Sequence, residues 1–139
     1  MQIKQRSIKL DPYPRGFHLI THLVQEALDE LPSLEVGMMN LFIQHTSASL
    51  SINENADPLV LEDMESFYTD LADDKPYYIH TYEGKDDMPA HIKSTLLGAS
   101  ISVPITKGRL NLGTWQGIYL GEHRDHAGPR TLVLSLWGA

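Results

Sequence analysis

Residues 45–58, HTSASLSINENADP, change period partway along, and that change decides the fold. Ala48, Leu50 and Ile52 alternate with Ser49, Ser51 and Asn53, the pattern of a half-buried strand with one polar face. Asp57-Pro58 then opens a helix. The Asp side chain can accept from free backbone N–H groups, and Pro fits the first helical position. Val60, Met64, Phe67 and Leu71 follow at helical spacing as an apolar stripe, with Asp63 close beside it. A strand running into a capped helix predicts mixed architecture.

Upstream, Val36 to Gln44 is a short apolar run that reads as a buried strand. Before it, Phe17, Ile20, Leu23, Val24, Ala27, Leu28 and Leu31 recur at helical spacing and Pro32 follows, which predicts a helix over 17–31. His18 and His22 lie four apart there. With no third ligand nearby they read as a solvated face. Downstream, 73–87 is an acidic loop with tyrosines. Asp87 and Pro89 start a third helix that Gly98 ends, with His91 in its first turn. Strands are predicted at 100–105, 110–120 and 131–137, with turns at Lys107-Gly108 and at 124–129. Gly113 and Gly117 predict bulges or close backbone approach. The sum is an α+β fold in a single domain over 1–139.

Composition narrows the chemistry. There is no cysteine, so disulfides and thiolate metal sites are excluded, and a transition metal must use His, Asp or Glu. A net charge of -7 argues against a nucleic-acid partner, though not against a local basic pocket. No apolar run reaches the roughly 20 residues of a membrane span, so no membrane partner is expected. The first residues, MQIKQRSIKL, lack the apolar core of a signal, and the expected compartment is the cytoplasm. There is no phosphate-binding glycine loop and no nucleophile elbow.

Four stretches together resemble one family: HTSASLSINENADP from His45, DDMPAHIK from Asp86, GRLNLGTWQGIYLGEHRD from Gly108, and RGFHL from Arg15. In order and spacing, over residues 2–137, they are similar to the YjbQ family, in particular its bacterial branch with EHR after the GTWQ strand. The resemblance implies a β-sandwich with two or three helices, a homotrimer, and a site near subunit contacts where histidines hold a metal or an anion. Members are labelled secondary thiamine-phosphate synthase. That label implies joining hydroxymethylpyrimidine diphosphate to thiazole phosphate with release of diphosphate. The barrel usual for that reaction needs about 250 residues, so the activity here would be convergent or secondary.

His45, His80 and His91 match positions of the family pattern. Three neutral imidazoles can hold one divalent metal, Zn or Mg, and leave a position open. A lone His is otherwise more often a hydrogen-bonded structural residue. Asn53 is a candidate to orient a ligand and Glu54 a candidate base or Mg²⁺ ligand, with a turn as the plainer reading. Asp57 reads as a cap. Asp63, Asp86 and Asp87 are candidates to fix imidazole tautomers. Lys93, beside His91, is a candidate phosphate contact, or simply solvated. Trp115 can stack on a flat ring and Gln116 can read its edge, yet adjacent strand residues point to opposite faces. Arg124 can take a phosphate with two hydrogen bonds. His123 and His126 share its charged turn, which reads as solvated.

The first expectation is therefore a transferase on phosphorylated pyrimidine and thiazole precursors. Its site is His91, Glu54, Asn53 and Lys93, with Trp115, Gln116 and Arg124 holding ligand. The alternatives are a non-catalytic trimeric module that binds a metal or anion, and a metal-dependent hydrolase.

Overall fold

The computed structural model describes residues 1–139. In chain order the elements are β1 (Gln2–Leu10), β2 (Gly16–Leu19), α1 (Thr21–Asp29), β3 (Val36–Ile43), β4 (Ala48–Glu54), α2 (Pro58–Ala72), α3 (Asp87–Leu97), β5 (Ser100–Thr106), β6 (Arg109–Leu110), β7 (Gln116–Glu122) and β8 (Arg130–Gly138). The strands form two antiparallel sheets, one in the order β1-β8-β3-β5-β6 and one in the order β2-β7-β4.

Period two sorts each strand into an inner and an outer face. Leu132, Leu134 and Leu136 of β8 pair in register with Ile43, Leu41 and Met39 of β3, and all are buried. Ala48, Leu50, Ile118 and Leu120 of the small sheet and Val24, Ala27 and Leu28 of α1 belong to the same core. Burying each large aliphatic side chain there contributes roughly 1.5–3 kcal/mol. The outward face of the large sheet leaves Ile3, Phe42 and Trp137 exposed.

The second face of the small sheet carries α2 and α3. The alternation at 48–54 gives strand β4 as expected, but its polar face is closed from water at Ser49, half-buried at Ser51 and open only at Asn53. Ser49 is fully buried, and Ser94 of α3 donates to the Ala48 carbonyl at 2.8 Å. Asp57 caps α2 by accepting from Leu59 N–H at 2.9 Å.

Three expectations need correction. The helix expected over 17–31 starts only at Thr21, because 16–19 pair with β7 as a strand. His18 and His22 therefore do not share a helical face, and His18 Nε2 turns to the Pro14 carbonyl at 2.6 Å. The strand expected over 110–120 is broken. β6 pairs with β5 in the large sheet, whereas β7 begins at Gln116 in the small one. Gly113 lies in the intervening turn. Gly117 is the close approach, since a Cβ there would run into Leu19 Cδ1. Finally, α2 docks through a mixed face rather than the whole expected stripe, with Ala72 buried and Leu61, Met64 and Tyr68 half-buried. Arg15 reaches Glu65, Thr69 and Asp73, at spacings of four along the helix, while Leu59, Phe67 and Leu71 face outward.

Candidate functional site

The site forms where the loop after α2 meets the first turn of α3. Gly84, at φ +111, lets the chain reverse before α3. That reversal is clamped to the turn after β7: Arg124 Nη2 donates to the Glu83 carbonyl at 2.7 Å, and Asp125 N–H donates to Asp86 Oδ2 at 2.8 Å. Asp87 and His91 stand four apart on α3 and so share one face. His80 reaches the same point from the loop.

Asp87 Oδ2 lies 2.7 Å from His80 Nε2 and 3.1 Å from His91 Nε2. One nitrogen or oxygen from each of the three residues falls within 4.8 Å of the others. The carboxylate is buried, with 3% of its side chain exposed, whereas the rings keep 29% and 31%. Burial disfavours the charge on Asp87. The His80 hydrogen bond and the neighbouring His91 and Arg124 outweigh it and hold the carboxyl below its ordinary range.

The hydrogen bonds of His91 do not balance as they stand. Its Nδ1 is 2.8 Å from the Thr46 carbonyl, which can only accept. A neutral ring then carries its proton on Nδ1 and presents a lone pair on Nε2 to a carboxylate 3.1 Å away. Two acceptors at that distance need a cation, either a second ring proton or a metal ion.

Of the three histidines expected to converge, two do. His45 lies apart from the cluster: its Nε2 accepts from Thr131 N–H at 2.9 Å, and its Nδ1 is 3.3 Å from Arg130 Nη1. Lys93 is fully buried with Nζ 2.8 Å from Asp73 Oδ1, so its ammonium faces the interior rather than an incoming phosphate. Arg124 is occupied by Glu83 O, Asp86 and Asp87.

Asn53, Glu54, Trp115 and Gln116 gather at the opposite end of the β4–β7 ladder, where Glu54 pairs with Gln116. At about 3.3 Å per strand residue, Glu54 lies roughly 25 Å from Thr46. There Asn53 Oδ1 accepts from Glu54 N–H, Glu54 Oε2 accepts from Asp57 N–H at 3.2 Å, and Gln116 Oε1 accepts from Gly113 N–H at 2.8 Å. Trp115 is 65% exposed, which fits a surface rather than a core Trp.

Sequence reasoning missed the buried pair of Glu122 and Arg130, joined at 2.8 and 2.6 Å. His123, expected in a solvated turn, is buried, as is Glu122. Asp87 had been given only a supporting role. Its spacing of four from His91 on one predicted helix was the available signal.

A family model described as "UPF0047 protein YjbQ-like" matches residues 6–139. The UPF0047 protein YjbQ of Salmonella typhimurium is 54% identical over 134 residues, 96% of this chain and 97% of the relative. The UPF0047 protein YjbQ of Escherichia coli O157:H7 is 49% identical over the same shares. Among solved structures, a conserved protein of the YjbQ/UPF0047 family from Clostridium acetobutylicum superposes with a TM-score of 0.81 at 37% identity, covering 93% of this chain and 97% of that one.

Proposed function

The chain belongs to the YjbQ-like UPF0047 family, and from that premise we propose a metal-assisted enzyme acting on phosphorylated small molecules, with the cation held by His80, Asp87 and His91. The observation that carries this is His91. Its Nδ1 lies 2.8 Å from a carbonyl and its Nε2 3.1 Å from a carboxylate, so a cation is needed between Nε2 and Asp87. Metal-binding imidazoles adopt this arrangement, with one nitrogen bonded to a backbone carbonyl and the other on the metal. Two imidazoles and one carboxylate suit Zn²⁺ better than Mg²⁺, which favours oxygen ligands. Three protein ligands leave a tetrahedral ion one position for water or substrate.

For the reaction we keep the transferase reading: hydroxymethylpyrimidine diphosphate and thiazole phosphate are joined and diphosphate leaves. A bound Zn²⁺ would supply charge to the leaving diphosphate oxygens. In this reading the protein's own part is placement. Asp87 and Arg124 fix the loop, and the half-exposed rings of His80 and His91 border the entry. Asn53, Glu54, Trp115 and Gln116 lie too far away to act in the same subunit, so a role for them requires a second copy. A homotrimer fits the two outward apolar surfaces, Leu59, Phe67 and Leu71 on α2 and Ile3, Phe42 and Trp137 on the large sheet.

The test loads purified protein with Zn²⁺, supplies both precursors and measures thiamine phosphate. His91→Ala is expected to abolish turnover while leaving oligomeric mass by sedimentation unchanged. Zn²⁺ uptake without product would favour the binding-module reading. No uptake at all would remove the metal site.

A further inference from the structure

Thr46 supplies the carbonyl that meets His91 Nδ1, so whatever fixes that carbonyl fixes the tautomer of the ring. The chain is pinned on both sides of Thr46. On one side Thr131 N–H donates to His45 Nε2 at 2.9 Å, which makes Nε2 the acceptor, and Arg130 Nη1 stands 3.3 Å from Nδ1. Burial, and then the neighbouring Arg130, lower the His45 pKa, in keeping with a neutral ring. On the other side Arg130 Nη2 donates to the Ser47 carbonyl at 3.2 Å and to Ser47 Oγ at 3.0 Å. Gln44 N–H bonds to the Thr131 carbonyl at 3.1 Å and ties the start of the segment to the same strand.

Glu122 stands behind both this support and the Asp87 side. Fully buried, it holds Arg130 through two hydrogen bonds. Its Oε2 also accepts from Arg124 N–H at 3.2 Å, and Arg124 Nε lies 3.4 Å from Asp87 Oδ1. One buried carboxylate thus anchors two arms. One runs through Arg130 and segment 45–47 to His91, and the other through Arg124 to Asp87.

We propose that His45 is a positioning residue for the cation site: together with Arg130 and Glu122 it holds the Thr46 carbonyl against His91 Nδ1, so that the ring's other nitrogen, Nε2, is the one offered to a cation beside Asp87. The inference rests on the reading of His80, Asp87 and His91 as ligands. It moves His45 from metal ligand to the support of one. Removing such outer partners weakens metal binding about 10–100-fold in comparable sites.

Two measurements test it. The nitrogen-15 spectrum of His91 in metal-free protein reads which ring nitrogen is protonated, and calorimetric titration with Zn²⁺ alone reads affinity. In wild-type protein Nδ1 is expected to be protonated, alone or together with Nε2. His45→Ala is expected to give mixed His91 tautomers and about 10–100-fold weaker Zn²⁺ binding. His45→Gln, whose amide oxygen can accept from Thr131 N–H, is expected to recover affinity to within about threefold. A His45 that merely braces the fold would lower Tm and leave the His91 spectrum unchanged, which overturns the proposal. A wild-type Nδ1 without a proton overturns it whatever the variants do, so the proposal stays falsifiable even if His45→Ala fails to fold. Wild-type protein with the Nδ1 tautomer but no Zn²⁺ uptake would sink the metal reading of the site and leave the tautomer support standing.

Discussion

The small sheet has a buried layer on each face, and the two are held by opposite means. Toward the large sheet it packs Ala48, Leu50, Ile118 and Leu120 into an all-aliphatic core. Toward α2 and α3 it meets Ser49, Lys93, Ser94 and His123, with the Arg15–Asp73–Lys93 chain of ion pairs closing the layer. Glu122 and Arg130 lie buried at its end nearest His91. The first layer is non-directional and indifferent to pH. The second mixes ion pairs and hydrogen bonds with buried Phe17, Ala72, Ala90 and Tyr119, and its polar contacts depend on their partners. Burial alone therefore says little about what a layer can do: the polar layer is the one that orients side chains, and the candidate site sits at its rim.

The largest expected effect comes from Glu122→Ala, which strands the Arg130 guanidinium in the interior. Breaking a buried pair from one side costs roughly 3–5 kcal/mol. Leu134→Ala in the apolar layer costs about 2–5 kcal/mol. Urea unfolding of the two variants compares the layers directly. If Glu122→Ala proves as mild as a surface substitution, the polar layer is not structural.

Acid distinguishes the layers next. His123 is pushed down to about 3, first by burial and then by Lys93, Arg15 and Arg130. Above its ordinary value of 6.5 the ring is neutral in both folded and unfolded chains, and stability is at its full value. Below 6.5 the unfolded chain takes the proton and the folded one does not, so stability falls until about pH 3. The slope is about 1.4 kcal/mol per pH unit for this group. His45, also lowered, adds loss just below 6.5. Asp73, Asp86 and Asp87 are lowered carboxyls, so their contributions are lost only as pH drops below 3.8. Denaturation midpoints from pH 7 to 4 should decline in wild-type protein and decline less in His123→Asn. Parallel curves would mean that His123 is not held neutral.

The smallest effect belongs to neither layer. Asp57→Ala removes the α2 cap and is expected to cost about 1 kcal/mol by thermal melting, with no change in acid slope. A much larger loss would mean that α2 helps to hold the polar layer.

The apolar layer was legible in the sequence because its signal is periodic. The alternation at 48–54, the run at 36–44 and the Asp57-Pro58 start all became the elements expected. The first helix was drawn too long because Phe17, at the right helical spacing, sits instead on a strand paired with Gly121. The polar layer was legible only in pieces. Alternation identifies the serine face of β4 but not what covers it, and α3 covers it. His80 and His91 were picked out with His45, yet nothing local says that His45 turns toward Thr131. Asn53 and Glu54 adjoin the HTSAS motif in sequence, but an extended strand carries them to the far end of the sheet.

The pairing of β1 with β8 has a consequence for how the molecule comes into being. Gln2 pairs with Gly138 and Leu10 with Arg130, so the first strand made joins the last. On the ribosome β1 waits as an unpaired edge until β8 has emerged. Closing so distant a contact is entropically slow. During that interval a stalled or truncated chain ending before β8 would leave that edge open to intermolecular pairing.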